Sequence, residues 1–146
     1  MKVGYILLFA VFAAAAVALQ AAPVQAAGEC KSQSQGVPGP SYVYFTVGSA
    51  KIDAAAKTEI AEVAARIKAL FVRDVCLLGS ADKQGDAQAN AALSVKRAEA
   101  VAAALVRDGV AADAITVVGK GETFGDSIEL FEDNQQDRSV KITLTK

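Results

Sequence analysis

The chain has 146 residues, with 15 basic side chains against 16 acidic ones and a formal charge of -1. A protein that gains affinity by neutralising phosphates needs a basic surface, so this balance argues against nucleic acid as a partner. The sequence contains no histidine, which removes the commonest general base and the commonest zinc ligand from any candidate site.

Residues 1–26 have the pattern of a cleaved signal peptide. Lys2 is their only charged residue, an apolar stretch covers residues 3–19, and small side chains stand at Val24 and Ala26. Cleavage after Ala26 predicts an exported protein. The apolar stretch is also close to the length of a membrane-spanning helix, so retention of this segment as an anchor stays open.

The chain carries two cysteines, Cys30 and Cys76. In an exported protein they permit a single disulfide, because only one pairing exists. The alternative is that Cys76 is a small buried residue of a strand while Cys30 lies in a loose end. Glu29 precedes Cys30 where a lipid-attachment site needs a small residue, so we expect no lipidation.

Residues 27–40 are rich in Ser, Gln, Gly and Pro and lack an apolar period, which predicts a flexible N-terminal arm before a single domain over residues 41–146. The aromatic and β-branched run at 41–47 predicts the first strand. Asp53 is a suitable N-cap for a helix that extends to Leu70. One face of that helix is apolar, with Ile60, Val63, Ala64, Ile67 and Leu70 at helical spacing.

The remaining elements also follow from period and turn signals. In chain order they are a strand at 74–79 ended by Gly79, a helix from Asn90 to Arg107, a strand at 114–118, a long acidic loop at 121–137 and a strand at 139–145. The predicted fold class is therefore α+β, a βαβαββ two-layer sandwich with two helices packed on a small mixed sheet.

Arg97 lies in the otherwise apolar stripe of the second helix that continues to Leu105. A buried cation requires a carboxylate partner, because an unpaired ion in the interior costs several kcal/mol. Asp82, just after the second strand, can supply it as an internal salt bridge, or a ligand can. Asn90 and Ser94 lie on the same side of the helix as Arg97, so the four side chains could together hold a small zwitterion.

No enzyme site is predicted from the sequence. The three glycines of GKGETFG at 119–125 lack the order of a phosphate-binding loop, and the turn at 82–86 has too few oxygen ligands for calcium. A serine nucleophile would need an adjacent base that the sequence does not offer. We therefore expect a binding protein without catalytic residues, cofactor or metal.

The stretch 42–144 resembles the OmpA C-terminal domain, a peptidoglycan-binding module shared with the Pal lipoproteins. The resemblance is carried by VYFTVGSAKID at 43–53 and by GSADKQGDAQANAALSVKRAEAVAAAL at 79–105, which contains the signature N-x-x-L-S-x-x-R-A. It implies that Asp82 and Arg97 hold the ammonium and the carboxylate of diaminopimelate in the peptide stem.

The chain departs from the family pattern at three positions near that site. Thr46 stands where the family usually has Asp, Ala81 where it has Thr, and Ser139 replaces the second arginine of a closing N-R-R-V motif, whose first arginine is Arg138. Thr46, Ala81 and Arg138 join Asn90 and Ser94 as predicted supporting positions around the site. Each departure removes a polar or charged group, so weakened binding is expected.

Two functions follow as hypotheses. The first is a periplasmic domain of a Gram-negative cell envelope that binds the cell wall and lies near the outer membrane. The second is an adaptor that keeps the fold, binds outer-membrane or periplasmic proteins and has no significant wall affinity. The intact helix signature favours the first, and the departures favour the second.

Overall fold

The structure is a computed structural model that describes residues 30, 35–82, 85–122 and 135–146. The predicted signal peptide at 1–26 and much of the predicted arm lie outside the described residues. The main elements are β1 (Ser41–Tyr44), α1 (Ala54–Ala69), β2 (Asp74–Ala81), α2 (Ala87–Arg107), β3 (Ile115–Glu122) and β4 (Ser139–Thr145). Short 3-10 helices cover Ala112–Ala114 and Gln135–Asp137.

The four strands form one mixed sheet in the order β1-β4-β2-β3. β4 is antiparallel to both of its neighbours, whereas β2 and β3 are parallel and are connected through α2. Both helices pack on this sheet, α1 against β1 and α2 against the other three strands. The predicted fold class, two helices on a small mixed sheet, is confirmed.

The hydrophobic core lies between the helices and one face of the sheet. Alternation along β4 buries Val140, Ile142 and Leu144, as predicted, and the strand has its predicted bounds. Across the sheet Ile142 pairs with Leu77 of β2, and both side chains are fully buried. This continuous apolar layer fixes the register, because a slip by one residue would turn the apolar side chains of β4 toward the other face.

The N-cap predicted for α1 is present. The carboxylate of Asp53 accepts a hydrogen bond from the backbone N–H of Ala56 at 2.8 Å, which satisfies one of the free donors at the helix start. The helix buries Ile60, Val63, Ala64 and Ile67 against the core, and Leu70 is partly buried just after its end.

The second helix begins three residues earlier than predicted, at Ala87 rather than Asn90. Asp86 caps it, since its carboxylate accepts a hydrogen bond from the N–H of Ala89 at 2.9 Å. The signal for this start is present in the sequence as an aspartate directly before an alanine-rich run.

Gly79 does not end the second strand, which continues to Ala81. It pairs with Gly119 of β3, and α2 crosses directly over both glycines. A Cβ at Gly79 would collide with the carbonyl oxygen of Ser94, and one at Gly119 would collide with Val95. The two glycines therefore permit a close approach between helix and sheet, which is a packing requirement rather than a turn.

The third strand is also longer than predicted and extends to Glu122, because its pairing with β2 continues past Gly119 to the residue opposite Ala81. The predicted acidic loop at 121–137 is thus shortened at both ends by regular structure. Its central part, 123–134, lies outside the described residues.

Cys30 and Cys76 form a disulfide with a Cα–Cα distance of 5.5 Å, typical of such bonds. Their sequence separation is 46, a loop for which the chain-entropy estimate gives roughly 4 kcal/mol of stabilisation. The bond fixes the chain before β1 to an inner strand of the sheet. Within the described residues no helix combines the length and apolar character needed to span a membrane.

Candidate functional site

Buried polar side chains collect at one end of the sheet, where β2 ends and α2 begins. They are Ser80, Asp82, Asn90, Ser94, Arg97 and Ser139. Polar residues are uncommon in a core of this size unless they are hydrogen-bonded or serve a ligand. This cluster contains the two residues that the sequence analysis singled out, Asp82 and Arg97.

Arg97 is fully buried, with none of its surface exposed to solvent. Its guanidinium donates three hydrogen bonds, all to backbone carbonyl oxygens. Nε donates to Ser49 at 2.8 Å, Nη1 to Ser80 at 2.9 Å and Nη2 to Thr46 at 3.1 Å. Arg97 therefore connects α2 to the end of β2 and to the segment between β1 and α1.

The aromatic ring of Phe45 adds a fourth contact to this guanidinium. The ring centroid lies 5.4 Å from the Cζ atom of Arg97, within the range of a cation–π interaction. Together, Phe45, Thr46 and Ser49 explain why β1 ends at Tyr44 instead of continuing to residue 47 as predicted. The chain leaves the sheet there and turns its carbonyl groups toward Arg97.

Asp82 directly follows β2 and is 7% exposed. Its Oδ2 atom pairs with Nη1 of Arg138 at 3.4 Å, and the side chains of the two residues are 9% and 12% exposed. The internal salt bridge between Asp82 and Arg97, an alternative from the sequence, is not formed in the part of the chain that the structure describes. Asp82 pairs instead with Arg138, the residue immediately before β4.

Asp82, Arg97 and Arg138 are nevertheless close enough to affect one another. Burial lowers the pKa of Arg97, the carboxylate of Asp82 raises it, and the positive charge of Arg138 lowers it. An arginine guanidinium remains charged under all ordinary conditions. Among the described residues, the site therefore contains two guanidinium groups near the carboxylate of Asp82.

The supporting residues occupy different places around this cluster. Asn90 and Ser94 are buried on the face of α2 that carries Arg97, and the hydroxyl of Ser94 donates to the carbonyl oxygen of Ala91 at 2.7 Å. Ala81 is fully buried at the last position of β2. Thr46 is exposed, and its contribution to the cluster comes from its backbone oxygen.

Because residue 46 contacts Arg97 through its backbone, the departure from the family pattern at Thr46 has a smaller consequence than expected. The bond from residue 46 to Arg97 does not depend on the side chain, so threonine at this position keeps it. Sequence reasoning missed Ser49 and Ser80, which also contribute carbonyl oxygens, and Phe45. Ser49 belongs to the GSA segment of the resemblance, but a motif of side chains gives no sign that a carbonyl oxygen is the acceptor.

Among the described residues, no group of three or more Cys, Asp and Glu side chains is arranged to hold a metal ion. The chemical capacity of the cluster is thus that of an ion-binding site: a carboxylate that accepts from a cation and guanidinium groups that donate to an anion.

Comparison with known proteins gives matches that extend over this whole region. The OmpA family profile matches residues 44–140. Outer membrane protein 40 of Porphyromonas gingivalis is 38% identical over 102 residues, which cover 69% of this chain and 26% of that protein. Outer membrane protein P5 of Haemophilus influenzae is 37% identical over 101 residues, which cover 69% and 28%. The chain thus spans about a quarter of the length of these relatives.

Solved structures with the same fold include the peptidoglycan-associated lipoprotein from Burkholderia pseudomallei, at 27% identity and a TM-score of 0.65, covering 71% of this chain and 89% of that one. The C-terminal domain of Helicobacter pylori MotB has a TM-score of 0.64 at 20% identity, covering 73% and 84%, a likeness of fold alone. On the profile match and the identity to its relatives, this chain belongs to the OmpA family.

Proposed function

We propose that this chain binds peptidoglycan non-covalently through diaminopimelate in the peptide stem, with Asp82 and Arg97 as the principal contacts. OmpA-like domains typically bind peptidoglycan, and they are structural or binding domains rather than enzymes. The proposal goes further than this family property, because it assigns the ligand group and the residues that hold it.

The observation that carries the proposal is the environment of Arg97. The residue is fully buried, and its three hydrogen bonds all end on neutral carbonyl oxygens. These bonds use three of the five N–H groups of a guanidinium, and because no part of Arg97 is exposed, a ligand reaches the other two only when the cluster opens. A buried cation held in this way favours an anionic ligand group, since a carboxylate would offset the cost of its burial.

Asp82 supplies the opposite charge within the same cluster. Its carboxylate lies just after the end of β2 and is 9% exposed, and a carboxylate can accept hydrogen bonds from an ammonium group. A ligand with neighbouring ammonium and carboxylate groups would satisfy both residues at once. Diaminopimelate has two such centres, one at each end of the molecule, and offers this pairing.

The location that fits this function is the cell envelope, which the outer-membrane relatives also suggest. We propose export through the signal peptide at 1–26 and a position in the periplasm of a Gram-negative cell, near the outer membrane. Asn90, Ser94 and Arg138 would support the ligand from the rim of the cluster. The changes at Ala81 and Ser139 lower the expected affinity without removing the main contacts.

The test is co-sedimentation of the purified protein, expressed from the full sequence, with sacculi that contain diaminopimelate. The informative variant is Asp82→Asn, which keeps the shape of the side chain and removes its charge. The matched control is Asp86→Asn, because asparagine is also a good N-cap and this substitution removes a nearby carboxylate outside the cluster.

We expect the wild type and Asp86→Asn to sediment with the sacculi and Asp82→Asn to remain largely in solution. Loss of a charge-assisted contact should weaken binding by about tenfold or more. Free diaminopimelate should release the bound wild type. If the wild type stays in the supernatant at every salt concentration, the proposal is wrong and the adaptor hypothesis replaces it.

A further inference from the structure

The second helix, α2, ends in a hydrogen-bonded turn that favours glycine. The N–H of Val110 donates to the carbonyl oxygen of Leu105, and the N–H of Gly109 donates to that of Val106, both at 3.0 Å. This pair of bonds is the Schellman motif, in which the residue after the helix cap has a left-handed backbone. Gly109 supplies that conformation with φ at 92°, and glycine adopts it without steric cost.

The first helix, α1, ends in the same motif, but phenylalanine takes the place of glycine. The N–H of Val72 donates to the carbonyl oxygen of Ile67 at 3.0 Å, and the N–H of Phe71 donates to that of Lys68 at 3.3 Å. Phe71 has φ at 53°, the only positive value among the described residues other than glycine. Because a bulky side chain is strained in this region, glycine would fit the position better.

The side chain of Phe71 does not offset this strain by packing inside the domain. It is 84% exposed, more than any other large apolar side chain in the part of the chain that the structure describes. Neither the backbone conformation nor the exposure of Phe71 stabilises the fold. Strained residues of this kind persist where they serve a function, so we look for a contact outside the domain.

Phe71 lies at the end of the molecule opposite the Asp82 cluster. It precedes β2 whereas Asp82 follows it, and the length of that strand separates the two ends by roughly 23 Å. The end of α2 lies beside Phe71, because Nζ of Lys68 donates to the carbonyl oxygen of Asp108 at 3.0 Å. Val106, 40% exposed in the last turn of α2, adds apolar surface at this end. A contact made here leaves the Asp82 cluster accessible.

Basic side chains outnumber acidic ones at this end of the described structure. The exposed ones are Lys68, Arg73, Arg107 and Lys146 against Asp108 and Asp113, and Asp74 is half-buried. An exposed aromatic ring among basic groups is typical of surfaces that bind the interface of a phospholipid bilayer. There the ring enters the headgroup region and the cations contact lipid phosphates.

We propose that Phe71 docks this end of the domain on the surface of a phospholipid membrane. The ring enters the interfacial region, and Arg73 beside it contacts lipid phosphates. A single aromatic anchor binds weakly, so the contact operates on a chain that another attachment already holds near the membrane. The inference does not depend on the ligand of the Asp82 cluster, and a domain that makes both contacts would bridge the cell wall and a membrane.

The chain contains no tryptophan, so one introduced tryptophan reports on its own position. Phe71→Trp is compared with Tyr44→Trp, which replaces an aromatic side chain that is 40% exposed at the end of β1 nearer the Asp82 cluster. Each full-chain variant is mixed with vesicles of phosphatidylethanolamine and phosphatidylglycerol that carry brominated acyl chains. These chains quench tryptophan fluorescence only when the indole enters the bilayer.

We expect quenching and a blue shift of the emission for Phe71→Trp and neither change for Tyr44→Trp. Absence of quenching in Phe71→Trp would overturn the proposal and favour a protein partner at this end. Equal quenching of both variants would also overturn it, because the contact would not be specific to Phe71.

Phe71→Gly separates membrane contact from a role in folding. Relief of the left-handed strain should raise the thermal unfolding temperature by about 4 °C. The same substitution should abolish the quenching of a second reporter, Val106→Trp, at the same end. A lower unfolding temperature would show that the ring stabilises the fold, and persistent quenching would show that another residue is the anchor. Either result overturns the inference, and neither measurement involves sacculi, so failure of wall binding is a separate outcome.

Discussion

Arg97 and Arg138 lie near the same carboxylate, but their surroundings differ in kind. Arg97 is buried with three short hydrogen bonds to the backbone, whereas the side chain of Arg138 is 12% exposed and pairs with Asp82 at 3.4 Å. Arg97 is tied to the fold through neutral carbonyl oxygens, whereas Arg138 contacts the carboxylate that is proposed to bind the ligand.

The surroundings of Arg97 also show that a residue of a family signature can have a structural role beside its implied ligand contact. Arg97 is part of the N-x-x-L-S-x-x-R-A signature, and the resemblance gives it the role of a ligand contact. In the structure it also joins three segments of the fold through carbonyl oxygens of Thr46, Ser49 and Ser80. Loss of binding on substitution of Arg97 therefore cannot separate ligand contact from folding, which is why the sedimentation test uses Asp82.

The largest expected effect is that of Arg97→Met, which keeps the length of the side chain and removes its donors. Three carbonyl oxygens would lose their partner, and we expect the free energy of unfolding to fall by about 3 kcal/mol or more. Urea denaturation followed by circular dichroism measures this change. A loss below about 1 kcal/mol would mean that the carbonyl bonds contribute little to the fold.

A second substitution, Gly79→Ala, tests the close approach that positions Arg97 without changing any charge. The added Cβ would collide with the carbonyl oxygen of Ser94, so α2 must shift, at an expected cost of about 1–3 kcal/mol. Gly39→Ala is the matched control, since nothing lies within 4 Å of a Cβ at that position. Equal thermal unfolding temperatures for the two variants would contradict the packing argument.

The smallest effect on stability is expected for Arg66→Gln. Arg66 pairs with Glu59 at 3.4 Å and both side chains are 36% exposed, so the pair contributes no more than about 1 kcal/mol. Arg138→Gln should destabilise more, because its partner Asp82 is buried and would lose this ion pair. Urea denaturation measures both variants, and equal unfolding free energies would contradict this order.

Much of the fold could be predicted because its signals are local. The alternating pattern of β4 gave that strand with its observed bounds, and Asp53 with the apolar face after it gave α1. The errors arose where distant contacts decide the structure. β1 ends early because its next residues turn to Arg97, and β2 continues through Gly79 because a helix lies above it.

The residues of the candidate site were predicted better than its contacts. The spacing in α2 indicated a buried charge at Arg97, and the structure places it in the interior. The ion pair of Asp82 with Arg138 joins residues separated by 56 positions and depends on β4 lying beside β2. No local pattern encodes that adjacency, and acceptors that are backbone carbonyl groups leave no mark on residue identity.

The disulfide determines how mechanical load would travel through this domain. β1 and α1 lie inside the covalent loop closed by Cys30 and Cys76. If the segment 1–26 is retained as an anchor, tension on the chain before Cys30 therefore bypasses β1, an edge strand of four residues that would otherwise be peeled away. The tension enters β2 at Cys76, and the proposed ligand contact Asp82 follows directly after the same strand. Force between Cys76 and Asp82 passes along covalent bonds, and no hydrogen bond of the sheet has to carry it.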